Sequence, residues 1–89
     1  MKNTDVKDLL DFPCDYQFKA VGLAGDSFKQ AVVVAVGKHV DVSQDAVHCR
    51  PSGKGTYQSV SVLVTLYNYE QLTDIYAEIR QVKNLKMLL

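Results

Sequence analysis

The segment from Gln58 to Leu66 constrains the fold of this chain more than any other stretch. Its side chains alternate in polarity, with Val60, Val62, Val64 and Leu66 in one set and Ser59, Ser61, Leu63 and Thr65 in the other. Because successive side chains of a β-strand point to opposite faces, this alternation predicts a strand with one face in a hydrophobic core and one wetter face. The other segments are interpreted around this strand.

Length and composition set the scale of the fold. The 89 residues are expected to form one domain, residues 1–89, with one modest core. A hydrophobic fraction of 47% is typical of a globular protein and not of a disordered one. Ten basic and ten acidic residues cancel, so the long-range field that attracts nucleic acid or an anionic membrane is absent.

No feature of the sequence predicts export or insertion into a membrane. No apolar run approaches the roughly 20 residues that cross a bilayer, and acidic residues interrupt the N-terminus where a signal peptide needs an apolar segment. We therefore expect a cytoplasmic protein. Cys14 and Cys49 lack a CxxC spacing and are expected to be free thiols in a reducing compartment.

Two elements are predicted before residue 22. Asn3 or Thr4 would cap a short helix over Asp5–Leu10, which ends before Pro13 because the residue preceding a proline avoids helical geometry. Alternation over Asp15–Val21 then predicts the first strand, with its even-numbered side chains on the core side.

A helix is predicted after a loop at residues 22–25. Ser27 and Gln30 have the spacing of a capping box, and Asp26 suits the positive end of the helix dipole. A run of β-branched valines favours a strand, but length and the cap favour a helix to about His39. Its buried side is expected to carry Phe28, Val32, Ala35 and Val36.

The second half of the chain predicts two further strands and a helix around Gln58–Leu66. Ala46–Pro51 predicts an edge strand, because proline cannot donate to a ladder. Asn68, with Gln71 three residues later, predicts the cap of the second helix, and Leu85–Leu89 predicts a short final strand. The buried side of that helix is expected to carry Leu72, Ile75, Tyr76, Ile79 and Val82.

A short helix followed by β-α-β-β-α-β predicts an α+β, ferredoxin-like sandwich. The two β-α-β halves interlock into a four-stranded antiparallel sheet with both helices on one face. The other sheet face has no internal cover, and its half-apolar character suggests a protein partner or a dimer mate. Its side chains are expected to be Gln17, Lys19, Val21, Tyr57, Ser59, Ser61 and Leu63.

The glycine-rich turn Ser52–Gly55 is one candidate binding element. Its glycines let backbone N–H groups converge on an anion beside Arg50 and Lys54, although a plain hairpin is the favoured explanation and the Walker spacing is missing. Residues 54–57 are also similar to the RNA-binding RNP1 element. Only Tyr57 could stack a base there, and with zero net charge RNA binding is the weakest hypothesis.

The loop between the first strand and the first helix is a second candidate. A helix start with free N–H groups beside a flexible turn accepts a small carboxylate, although an ordinary strand-to-helix turn is the favoured explanation because such turns are common. The soft metal ligands His39, His48, Cys14 and Cys49 have no zinc spacing, and no residue is identified as a base for a nucleophile. We expect no enzyme activity, no catalytic residue, no metal and no cofactor.

One run of residues is similar to a known family. The pattern Pro51-Ser52-x-Lys54-Gly55-x-Tyr57-x-Ser59-Val60-Ser61, the leader Leu9-Leu10-x-Phe12-Pro13 and the Leu85–Leu89 tail resemble the YbeD-like family of small bacterial proteins. The resemblance implies a ferredoxin-like fold of the ACT type, similar to amino-acid-sensing regulatory domains of metabolic enzymes. It also implies self-association and an effector near the loop between strand one and helix one, but no established activity.

Three functional hypotheses stay open. In the first, the chain is a regulatory domain that binds an amino-acid-like effector and self-associates. In the second, it is an adaptor that docks on a metabolic enzyme through its sheet face and the Arg50–Tyr57 hairpin, and RNA binding is the third. The effector would contact Gly22, Gly25, Asp26 and Ser27, and the adaptor would use Arg50, Ser52, Lys54, Gly55, Tyr57, Ser59 and Ser61.

Overall fold

The strands and helices follow one another in the order that the sequence predicts. The structure is a computed structural model that describes residues 11–89, so the predicted helix at Asp5–Leu10 lies outside the described residues. A single 3₁₀ turn, Gln44–Ala46, precedes the second strand. The elements are β1 (Cys14–Leu23), α1 (Asp26–Gly37), β2 (Val47–Pro51), β3 (Tyr57–Leu66), α2 (Tyr69–Arg80) and β4 (Leu85–Leu88).

The four strands form an antiparallel sheet in the order β2-β3-β1-β4. The two central strands pair along their whole length, from Cys14 opposite Leu66 to Leu23 opposite Tyr57. β2 lies at one edge, as Pro51 predicts, and β4 lies at the other. Two interlocked β-α-β units of this kind make a ferredoxin-like sandwich, so the predicted fold is confirmed.

The hydrophobic core lies between one face of the sheet and the two helices. Alternate residues of the central strands supply the sheet side, as the period of two predicts. Fully burying one such side chain stabilises the fold by about 1.5–3 kcal/mol. The core residues of the strands are Phe18, Ala20, Val60, Val62, Val64 and Leu66, and those of the helices are Phe28, Val32, Ala35, Val36, Leu72, Ile75 and Ile79.

Helix α1 forms with the predicted buried side but begins differently. Its N-cap is Gly25, with φ 113°, and no side chain caps it, so the predicted capping box of Ser27 and Gln30 is wrong. The reason is that β1 continues two residues beyond the predicted end, to Leu23. The chain must then turn within two residues, and glycine adopts the positive φ that this turn needs. The helix ends at Gly37, not at about His39.

Helix α2 begins at the predicted cap. The side-chain oxygen of Asn68 accepts a hydrogen bond from the backbone N–H of Gln71, at 2.9 Å. The Gln71 side chain accepts from the N–H of Tyr67, at 2.7 Å, and donates to the carbonyl of His39, at 3.3 Å. The cap therefore also ties the start of α2 to the segment that follows α1.

Three aromatic rings join β1 to α2. The Phe18 ring lies 4.9 Å from that of Tyr16 and 5.0 Å from that of Tyr76, between ring centroids. The hydroxyls of Tyr16 and Tyr76 are hydrogen-bonded at 2.8 Å, and the Tyr76 hydroxyl also donates to the carbonyl of Leu89. Burial, and then the hydrogen bond with Tyr16, raise the pKa of Tyr76 above its ordinary value.

The Tyr76 hydroxyl is expected to stabilise the fold in a pH-dependent way. Because its pKa is higher in the folded chain than in the unfolded chain, its contribution is complete below the unfolded pKa of about 10 and is lost as the pH rises above that value. Tyr76→Phe should lower the free energy of unfolding by about 0.5–1.5 kcal/mol at neutral pH, and by less at alkaline pH.

Urea unfolding followed by circular dichroism at neutral and alkaline pH measures both effects. Tyr67→Phe is the control, because the Tyr67 side chain is 64% exposed. An equal loss in both variants, or a Tyr76→Phe loss that does not change with pH, would contradict the prediction.

Candidate functional site

One face of the sheet, which we call the open face, points away from the helices. Both helices pack against the opposite face, where the core lies. The open face carries the odd-numbered residues of β1 and β3, whose side chains are exposed or half-buried. All seven side chains predicted for this face lie there, namely Gln17, Lys19, Val21, Tyr57, Ser59, Ser61 and Leu63.

Strand register brings cationic and hydroxyl side chains together at the centre of the open face. Ser61 of β3 lies between Lys19 of β1 and His48 of β2, and the neighbouring Ser59 lies opposite Arg50 of β2. These residues come from three different strands, so only the folded sheet assembles them. A shallow depression of about 450 Å³ is lined by Gln17, Lys19, His48, Cys49, Arg50, Ser59 and Ser61.

Large apolar side chains lie on both sides of this depression. Leu63 is 46% exposed, opposite Gln17. On the other side, Met87 of β4 lies opposite Val21 and is 49% exposed. The open face therefore combines a polar, cationic centre with apolar flanks.

A bulge in the ladder between β1 and β4 places a further cation on this face. Val21 pairs with Met87 and the next residue of β1 pairs with Leu85, which leaves Lys86 as the extra residue. The ammonium of Lys86 lies 4.6 Å from the centre of the Tyr57 ring, a cation–π contact. Tyr57 is the one Phe, Tyr or Trp among the strand residues of the open face within residues 11–89.

The predicted turn at Ser52–Gly55 is a hairpin held by its own backbone. The N–H of Gly55 donates to the carbonyl of Ser52, at 3.0 Å, and the N–H of Ser52 donates to the carbonyl of Tyr57, at 2.8 Å. The Ser52 hydroxyl accepts from the N–H of Tyr57, and Gly55 has φ 76°. The N–H groups of Ser52 and Gly55 are thus used within the hairpin, which supports the simpler of the two explanations, while Lys54 stays exposed.

The turn between β1 and α1 is built for close packing. Gly22 is the ninth residue of β1 and not part of the predicted loop, because it pairs with Gln58 of β3. A Cβ atom at Gly22 would clash with the Phe28 ring, which is buried in the core. Gly22 therefore lets Phe28 pack against the backbone of β1.

Gln58 holds the same turn and was missed by the sequence analysis. Its side-chain amide donates to the carbonyls of Leu23, at 3.0 Å, and Gly25, at 2.6 Å, and only 8% of the residue is exposed. The sequence did contain a signal of this role, because Gln58 occupies a core-facing position of the alternating segment. A polar residue at such a position indicates a buried hydrogen bond.

Asp26 and Ser27 lie exposed in the first turn of α1, beside the N-cap residue Gly25. The first N–H groups of a helix have no partner within the helix, and they favour an anion. The assignment of a small ligand to Gly22, Gly25, Asp26 and Ser27 stays a prediction.

The remaining candidate metal ligands and nucleophiles do not form a site within residues 11–89. No three His, Cys, Asp or Glu side chains lie close enough to hold a metal ion within residues 11–89, and Cys14 and Cys49 are free thiols. In the same part of the chain, neither helix is long and apolar enough to cross a membrane.

Comparison with known proteins identifies the family. The family model described as "Protein of unknown function (DUF493)" matches residues 7–89. The chain belongs to this family.

The UPF0250 protein of Shewanella loihica is 37% identical over 89 residues, which cover 100% of both chains. The UPF0250 protein of Yersinia pestis strain Pestoides F is 33% identical over 86 residues, 97% of this chain and 98% of that one. The resemblance to the YbeD-like family is confirmed.

Solved structures similar to this DUF493 chain share its fold at low sequence identity. Protein HP0495 from H. pylori matches with a TM-score of 0.72 and 15% identity, over 100% of this chain and 94% of that one. The ACT domain from GTP pyrophosphokinase of Chlorobium tepidum matches with a TM-score of 0.68 and 12% identity, over 86% and 96%. The DUF493 chain therefore has an ACT-like fold, as the resemblance implied.

Replacing Gly22 with alanine in this DUF493 chain is expected to destabilise the fold. The added Cβ would force the Phe28 ring out of its packed position, which should cost about 1–3 kcal/mol in the free energy of unfolding. Gly37→Ala is the control, because the space around Gly37 at the end of α1 is open. Urea unfolding compares the two variants, and an equal effect at both positions would refute this role of Gly22.

Proposed function

We propose that this chain is a non-catalytic regulatory domain that acts by docking on a partner protein through its open face. The observation that carries the proposal is the difference between the two sides of the sheet. One side is covered by both helices, whereas the other presents Leu63 and Met87 to solvent beside a group of cations. A sheet face that no helix covers and that carries exposed apolar side chains around a polar centre has the mixed character of a protein interface.

The charges of the open face support the proposal. Within residues 11–89, Glu78 forms a salt bridge with Lys38 and lies 3.4 Å from a ring nitrogen of His39, on the helical side of the molecule. Neither Lys19 nor Arg50 belongs to a salt bridge of the described residues. Their charges are therefore available to a partner, and complementary charges favour the right partner and speed its association.

The shape of the open face favours docking over catalysis. Catalytic groups act in enclosed sites that exclude water, because electrostatic effects are strong there. The depression around Ser59 and Ser61 is shallow and continuous with a broad strand surface. A sheet face offers area and fixed side-chain spacing, which are the requirements of a protein interface.

The structural relatives support a metabolic enzyme as the partner. One of them is the ACT domain from a GTP pyrophosphokinase, so this fold occurs within an enzyme chain. We infer that the DUF493 chain supplies a comparable regulatory domain to a metabolic enzyme. The hairpin from Arg50 to Tyr57 borders the open face and would extend the contact area.

Site-specific photocrosslinking in bacterial cells tests the docking proposal. A photoreactive amino acid at Ser61, in the centre of the open face, should give an adduct with one other protein, identified by mass spectrometry. The same amino acid at Ala77, exposed on α2, is the control and should give several-fold less of it. Equal yields at both positions would refute docking through the open face, and an adduct of two copies would replace the partner protein with a dimer.

A second candidate function is the binding of an amino-acid-like effector at the turn between β1 and α1. The observation that favours it is that α1 begins at Gly25 without a side-chain cap, which leaves N–H groups of the first turn available to a carboxylate. The Asp26 carboxylate would bind the ammonium group of the same ligand. Regulation of an enzyme would then depend on effector and docking together.

A thermal-shift screen of amino acids and small carboxylates tests the effector. A compound at 100 times its dissociation constant should stabilise the fold by about 2.7 kcal/mol, a rise of roughly 10 °C or more in Tm for a chain of this size. Asp26→Asn should abolish the shift, and Asp74→Asn on α2 should leave it unchanged. A screen in which no compound raises Tm would rule out an effector of this class.

A further inference from the structure

We propose that the partner segment that docks on the open face is acidic, with carboxylates that reach Lys19 and Arg50 and apolar side chains that cover Leu63 and Met87. This inference rests on the proposed function and names the chemistry of the partner. It follows from how the charges and the apolar side chains are distributed over one face of the sheet.

The centre of the open face is positively charged although the whole chain is neutral. Lys19 on β1 and Arg50 on β2 lie on either side of β3 and are offset by two residues along it, so their backbones are about 12 Å apart. Among the strand residues that the structure describes on this face, the carboxylate is that of Asp15, which lies four residues from Lys19 along β1, at a distance of about 13 Å. Asp15 accepts a hydrogen bond from the Thr65 hydroxyl at 3.0 Å and so is held at the far end of the face.

The side chains between the two cations suit carboxylates. Ser59 and Ser61 carry short hydroxyl groups that donate hydrogen bonds, and they leave the depression free for groups that enter from outside. Arg50 has the planar guanidinium that binds a carboxylate through two parallel hydrogen bonds. His48 adds a ring nitrogen at the β2 side of the depression. Two carboxylates spaced to reach Lys19 and Arg50 would thus find hydrogen-bond donors as well as charge.

The apolar flanks distinguish a protein segment from a small anion. A free phosphate or carboxylate would bind to the cations alone and would leave Leu63 and Met87 in water. Burying apolar surface contributes roughly 25 cal/mol per Å², so a segment that covers both flanks gains from apolar contact as well as from charge. The pattern of the face is matched by a segment with central acidic residues and apolar residues on either side.

The same face is poorly suited to nucleic acid. Single-stranded RNA binds sheets through exposed aromatic rings on which its bases stack. Tyr57 is the one Phe, Tyr or Trp among the strand residues of this face within residues 11–89, and the Lys86 ammonium lies over its ring at 4.6 Å. The cations of the open face therefore match protein carboxylates better than phosphates with stacked bases.

Selection from a random peptide library tests the inference. The library is selected in parallel on the full wild-type chain, on Lys19→Glu/Arg50→Glu and on the control Lys29→Glu/Lys83→Glu, which changes the net charge equally away from the open face. Peptides enriched on the wild-type chain and on the control should combine acidic and apolar residues. A synthesised peptide from this pool should bind Lys19→Glu/Arg50→Glu at least 10-fold more weakly than it binds the other two chains.

A charge swap separates loss of contact from loss of folding. The same peptide with its acidic residues changed to lysine should bind Lys19→Glu/Arg50→Glu better than it binds the wild-type chain. Enriched peptides without an acidic bias, or equal affinity for all three chains, would overturn the inference. An RNA oligonucleotide that displaces the peptide and binds more tightly would overturn it in favour of nucleic acid.

The photocrosslinking experiment and the peptide selection test the two proposals independently. Specific crosslinking from Ser61 with no acidic bias in the selected peptides would leave docking in place and refute the acidic partner. Equal crosslinking from Ser61 and Ala77 would refute docking itself, and with it this inference.

Discussion

The pairing of β1 with β3 is the constraint on which the rest of the structure depends. The two strands are paired along all ten residues of each, from Cys14–Leu66 to Leu23–Tyr57. Because side chains alternate along a strand, this register decides at every position whether a residue meets the helices or the open face. A shift of one residue would exchange Val60 for Ser59 in the core. The core and the candidate docking surface are therefore two sides of a single ladder.

This dependence explains which parts of the structure could be predicted. The open face followed from the period of two, and the buried side of α1 from its apolar pattern, because both are local. The end of β1 was misplaced because Leu23 stays in the strand through its partner Tyr57, which is remote in sequence. The capping box then failed, since a longer β1 moves the start of α1 to Asp26. The role of Gln58 required the position of its acceptors, the carbonyls of the turn.

The distribution of charge also could not be predicted without the strand register. Equal numbers of acidic and basic residues argued against a strong field around the molecule, and that argument holds at long range. At short range, only the register shows that Lys19 and Arg50 share one face, because they come from strands separated by α1. The amino-acid composition gives only the net charge of the whole surface, whereas a partner contacts one side of it. The pairing of the strands determines which charges are grouped.

Gln58 links the turn before α1 to a central strand of the open face. Its side chain holds the turn before α1, and its backbone neighbour in the same strand, Ser59, belongs to the open face. The strand that carries the candidate docking surface and the turn that carries the candidate effector site are therefore held together by one buried side chain. If both sites were occupied, any coupling through Gln58 would be reciprocal, so that each ligand would change the affinity of the other by the same factor.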